Sequence, residues 1–182
     1  MAEEEQSKPT KYCHVAIALG SGKILDAQGG SVRVTTFEIL LDDYNHIAVK
    51  RTPGHWTAAM QETIQNFAEI NIGKNFNCIG MMKVEERKDK LEIQAREKLE
   101  RFFNGEYAPE GSNREVYFCS QLITCAFIEV GIITPSASII LAPEVLTPSD
   151  LAIDGAFGFF QGYITRNPDT LIPEDDHFRS SL

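Results

Sequence analysis

The stretch Glu115-Val116-Tyr117-Phe118-Cys119-Ser120-Gln121-Leu122-Ile123 decides the fold, because a short apolar run there gives way to a helical pattern. The pattern predicts a helix from Cys119 to Glu129, buried through Leu122, Ile123, Ala126, Phe127 and Val130 and closed by Gly131. Cys119 therefore stands at a helix N-terminus, where free N–H groups and partial positive charge favour a thiolate. The same N–H groups point to where an oxyanion would form during acyl transfer. The competing explanation for Cys119 is a packed structural cysteine. Cys125, in the interior of the same helix, fits that explanation.

Far upstream, residues 12–19 alternate in the manner of a strand. Cys13, Val15, Ile17 and Leu19 fall on one face and His14, Ala16 and Ala18 on the other. The small alanines leave room beside His14 for another element, such as a helix that carries a thiol. Gly20-Ser21-Gly22 then turns the chain into a second strand, Lys23–Gln28, and Gly29-Gly30 turns it into a third, Ser31–Thr35. If the first loop has three residues, Leu19 pairs with Lys23 and Asp26 lies opposite Ala16, on the face of His14. Asp26 is then the acceptor that fixes the imidazole. Gln28 lies directly across from His14 in that register and is the alternative orienter, whereas a two-residue loop turns Asp26 away.

A short helix from Thr36 and a strand over 46–51 continue what reads as an antiparallel meander. Helices follow over 57–72 and 85–103, and a last strand over 158–165. The 85–103 helix is dense in charge, with Leu91, Ala95, Leu99 and Phe102 as its apolar stripe, and reads as a solvated face. Residues 1–182 read as one α+β domain, with short acidic disordered tails expected at about 1–10 and 173–182.

The net charge of −9 argues against nucleic acid and anionic lipid as partners. No apolar run reaches the length of a membrane span, so no stable membrane insertion is expected. The acidic N-terminus lacks the apolar core of a secretory signal. That predicts a cytoplasmic protein, or one exported by a route independent of a signal peptide, with its four cysteines reduced. Gly20-Ser21-Gly22-Lys23 lacks the flanking residues of a phosphate loop, and the Cys and His spacings do not make zinc pairs, so neither cofactor nor metal is expected. His46, His55 and His177 belong to no motif.

The order His14, Asp26, Cys119 resembles that of the circularly permuted papain-like enzymes of the NlpC superfamily, in which the histidine strand comes first and the cysteine helix late. The resemblance is carried by Cys13-His14-Val15-Ala16-Ile17, by Ile24-Leu25-Asp26-Ala27 with Val32-Arg33-Val34, and by Tyr117-Phe118-Cys119-Ser120-Gln121-Leu122-Ile123. Departures are Gln121 in place of an acid after the cysteine, Phe76-Asn77 in place of a Tyr-Asp pair, and an aspartate where the nearest permuted members have glutamate. The resemblance implies a permuted papain-like fold, with an antiparallel sheet or barrel core packed against the cysteine helix. It further implies a cysteine amidase or peptidase acting on bacterial peptidoglycan stem peptides. Cys119 would be the nucleophile, His14 the base and then the acid, and Asp26 the third member. Tyr12, Tyr117 and Gln28 would stand near the substrate. An antibacterial effector with an immunity or delivery protein fits the same resemblance. Two other classes stay open, namely a thiol acyltransferase or lipid hydrolase of this fold and a non-catalytic binding module.

Overall fold

Two glycine turns organise the first sheet. The computed structural model describes residues 12–179, except 53 and 55. The expected tail at 1–10 lies outside the described residues, as do His55 and residues 180–182. Strand β1 (Ile17–Gly20) pairs antiparallel with β2 (Lys23–Gln28), and β2 pairs with β3 (Ser31–Thr35). Gly29 and Gly30 both adopt positive φ, 66° and 102°, in the two-residue turn that brings Gln28 opposite Ser31. After a short helix α1 (Phe37–Asp43), strand β4 (His46–Arg51) leaves this sheet and pairs with β7 (Phe159–Thr165) in a second, two-stranded sheet. The first sheet instead continues through β5 (Asn75–Phe76) and β6 (Val116–Tyr117), in the order β1-β2-β3-β5-β6.

The β5–β6 pair is parallel, which corrects the wholly antiparallel meander expected from sequence. The result is an α+β molecule with a curled, mixed sheet. A parallel neighbour requires a long crossover. Helices α3 (Cys78–Met82) and α4 (Val84–Phe103) supply it. The α4 stripe of Leu91, Ala95, Leu99 and Phe102 is half-buried, and its charges pair one turn apart, as in Lys90–Glu86 and Arg101–Glu97. Each such exposed pair contributes only about 0.3–0.5 kcal/mol.

Helix α2 (Ala58–Asn71) begins at Thr57, whose side chain accepts from the Met60 N–H, and buries Ile64, Phe67 and Ala68. Helix α5 (Cys119–Glu129) is buried along nine consecutive residues, Cys119 to Phe127, and packs on β2 and α2. Leu25, Val32, Ile64 and Leu122 meet in this core, and each fully buried aliphatic side chain is worth roughly 1.5–3 kcal/mol. The proline-rich loops after α5 contain two short helices, α6 (Ala137–Ile140) and α7 (Pro148–Ile153). Helix α7 starts in a reciprocal capping box between Thr147 and Asp150.

Residues 173–179 depart from the expected disordered tail. Asp176 and Phe178 are buried, because the Asp176 carboxylate receives the hydroxyls of Tyr12 and Tyr163, His46 Nε2 and the Phe178 N–H. His46, which no motif had claimed, is thus a partner of Asp176.

Candidate active site

The first hairpin decides where Asp26 points. Gly20 pairs with Lys23 across the two-residue turn Ser21-Gly22, both at positive φ. Upstream of a register shift between Ala18 and Gly20, however, Ala18 faces Ile24 and Ile17 faces Leu25. The shift restores the offset that a three-residue loop would give, and the Leu19 carbonyl accepts from Gln61 Nε2 of α2 at 2.5 Å. Asp26 is thereby turned to the face of His14.

His14 itself lies in residues 12–16, ahead of β1 rather than within a strand. Its Nε2 sits 2.6 Å from Asp26 Oδ1. The other carboxylate oxygen accepts from Arg33 Nε at 3.1 Å, and Arg33 is the cross-strand partner of Asp26. Asp26 is fully buried with a cationic or ionisable partner on each oxygen. Gln28 does not orient His14. It donates to Asp43 at 3.3 Å and accepts from Arg33.

Cys119 is the first residue of α5, preceded by Phe118 in extended conformation (φ −100°, ψ 166°) with no side-chain cap. The N–H groups of the first turn have no carbonyl one turn back and are free for a ligand. Ser120 Oγ donates to the Leu146 carbonyl at 2.7 Å, fixing the start of the helix. The Cys119 side chain lies near enough to the His14 imidazole for its charge to help raise the imidazole pKa. With Nε2 engaged by Asp26, Nδ1 is the nitrogen left to exchange a proton with sulfur. The ring also stacks on Tyr44, with centroids 5.3 Å apart and planes 5° from parallel.

Burial pulls the His14 pKa down, but hydrogen bonds to Asp26 and Cys119, with the charge of both, raise it to about 9. Because the folded value lies above the ordinary 6.5, the native state binds more protons between the two. Stability from this group is complete below about pH 6.5 and is lost as pH rises through about 9, on the order of 3 kcal/mol in all. Urea unfolding across that range should show this decline in wild type, and a His14→Ala variant should lack it.

Of the remaining site expectations, Tyr117 is corrected. It is fully buried in the core, its hydroxyl donating to the Ser112 carbonyl and accepting from the Arg114 N–H, and it cannot face a substrate. Tyr12 is half-buried and its hydroxyl is committed to Asp176. Cys125 is buried, and burial pushes its thiol up to about 12. Cys13, which the alternation sets on the face of Val15, Ile17 and Leu19, is exposed, as is Cys78. Two residues were missed. Arg33 follows from the Gly29-Gly30 turn by counting back three pairs along the hairpin. Tyr44, at the end of α1, had no local signal.

A cavity of about 440 Å3 borders His14 and Tyr44 and runs between residues 12–18, α1 and β4, with walls that include Ile24, Phe37, Leu40 and Ile47. A smaller one, about 170 Å3, also begins at His14 and extends past Ile123 and Phe127 of α5. Among the described residues no helix is long and apolar enough to cross a membrane, and no cluster of His, Cys, Asp or Glu is placed to hold a metal ion. Comparison with known proteins returns no matching family model, curated protein or solved structure.

Proposed function

We propose that the protein is a cysteine hydrolase with the permuted papain-like order of base, orienter and nucleophile. The observation that carries this is one convergence: an imidazole held by a buried carboxylate meets a thiol at an uncapped helix N-terminus. In the proposed cycle Cys119 and His14 rest as a thiolate–imidazolium ion pair, the proton being held on the imidazole, and the thiolate attacks a carbonyl carbon. The oxyanion forms against the first-turn N–H groups of α5. Collapse breaks the bond to the leaving amine, which takes the proton from His14. Water, deprotonated by the same imidazole, then cleaves the thioester, which releases the acid and restores the ion pair.

Peptide amides of bacterial cell-wall stems are the first substrate class, on the strength of the sequence resemblance. A second class, esters or amides of an apolar acyl group, is favoured by the largely apolar walls of the cavity beside His14. Both are tested together by incubating the full chain with soluble muropeptides and, separately, with short-chain acyl esters and phospholipid, and analysing products by mass spectrometry. Product formation by wild type and none by Cys119→Ala is expected. No product from any of the three substrates would overturn the proposal.

A further inference from the structure

The segment that carries His14 is not held by a strand. Residues 12–16 precede β1, so the ladder that fixes Ile17 and its successors does not reach them. Apart from the His14–Asp26 contact, side chains from distant parts of the molecule hold this segment. Tyr12 donates its hydroxyl to both oxygens of Asp176, at 3.0 and 2.9 Å, and its carbonyl accepts from Ser149 Oγ at 3.4 Å. Tyr12 is two residues from His14, about 7 Å of extended chain.

Asp176 is built as a fixed post. Its side chain is fully buried, and besides Tyr12 it accepts from Tyr163 of β7 at 2.5 Å, from His46 of β4 at 3.3 Å and from the Phe178 N–H at 3.0 Å. Burial pushes its carboxyl up, but the hydrogen bonds from Tyr163, Phe178, Tyr12 and His46 outweigh this and hold it below the usual carboxylate range. Phe178 locks the same corner, stacked on Phe160 with centroids 4.4 Å apart and planes 7° from parallel. The second sheet and the C-terminal segment therefore converge on one carboxylate, and that carboxylate grips the segment of the base.

We propose that Asp176 is a positioning residue for His14, acting through the Tyr12 hydroxyl, so that the 173–179 segment is a working part of the thiol site. This rests on the catalytic reading above and extends it to a residue that touches neither thiol nor imidazole. A base displaced by about 1 Å can lose on the order of 100-fold in rate, so a hydroxyl that aims the segment has a large lever.

The test compares Tyr12→Phe, Tyr163→Phe and Asp176→Asn in the full chain. Tyr163→Phe removes a hydroxyl from the same carboxylate without touching residues 12–16, so it controls for loss of stability alone. Three measurements are made: Cys119 alkylation by iodoacetamide against pH, the His14 titration by NMR, and thermal unfolding. Tyr12→Phe should slow alkylation about fivefold or more near pH 6 and shift the His14 titration. Tyr163→Phe should lower the melting temperature and leave both profiles in place.

Identical alkylation and titration profiles in wild type and Tyr12→Phe, with both tyrosine variants merely less stable, would overturn the proposal. Should Asp176→Asn fail to fold, the Tyr12→Phe result decides. If wild-type Cys119 reacts as an ordinary thiol, the catalytic reading fails. The positioning of His14 is then judged by its NMR titration, which must still respond to Tyr12→Phe and not to Tyr163→Phe.

Discussion

Asp26→Ala is expected to lose about 3–5 kcal/mol of folding free energy, the cost of leaving buried ionic partners uncompensated. The carboxylate is fully buried, and the alanine leaves His14 and Arg33 facing the space it occupied. Most of the loss is assigned to the His14 side, because the Arg33 side chain is 38% exposed and water replaces part of what it loses. Urea denaturation at neutral pH measures the change. Asp26→Asn separates orientation from packing. The amide has nearly the same shape, but only one of its two polar atoms can accept, so it cannot serve both His14 and Arg33. That variant should fold and should lose on the order of 10³–10⁴ in kcat, with the pKa of His14 falling as its anionic partner disappears. A folded Asp26→Asn protein with undiminished turnover would show that something else aims the imidazole.

The second large effect concerns the thiol. In native protein at about pH 6, Cys119 should be the first cysteine that iodoacetamide modifies, although it is only 4% exposed and Cys13 and Cys78 are open to solvent. Thiolate, not thiol, is the nucleophile, and the imidazole that interacts with Cys119 stays protonated up to about pH 9. Cys125 should stay unmodified until the protein unfolds, since burial pushes its thiol up to about 12. Modification of Cys119, or Cys119→Ala, should remove turnover by a factor of about 10⁵–10⁶. Peptide mapping after brief alkylation gives the order of reaction. Labelling of Cys13 or Cys78 ahead of Cys119 would contradict the proposed ion pair.

Much of the site was legible because its parts depend on short-range geometry. The helix at Cys119 followed from apolar spacing, and the place of Asp26 reduced to a choice between two hairpin registers. The structure resolves that choice by combining them, a two-residue turn plus an irregularity that adds the missing residue. Arg33 was within reach of the same arithmetic, since a Gly29-Gly30 turn forces Asp26 opposite Arg33. What could not be read depends on contacts across the chain. Strand β4 looked like a member of the first sheet because its partner, β7, lies more than a hundred residues away. Strands β5 and β6 have two residues each, too few for any periodicity. The segment at 173–179 carries the Pro, Glu and Asp of a solvated tail. Asp176 is buried only because Tyr12, His46 and Tyr163 reach it from three other elements.

The bond between Tyr12 and Asp176 spans 164 positions and sets an order of events in time. A chain made at about 5–20 residues per second exposes Tyr12 roughly 10–30 s before Asp176 is added. During that interval the nascent polypeptide already contains its imidazole and carboxylate, and later its thiol, but not the residue proposed to position His14. A nascent chain that stops short of Asp176 therefore lacks this bond, whatever else in it has folded. On the proposed role of Asp176, competence arrives with the codons for 173–179 rather than with the one that encodes the cysteine.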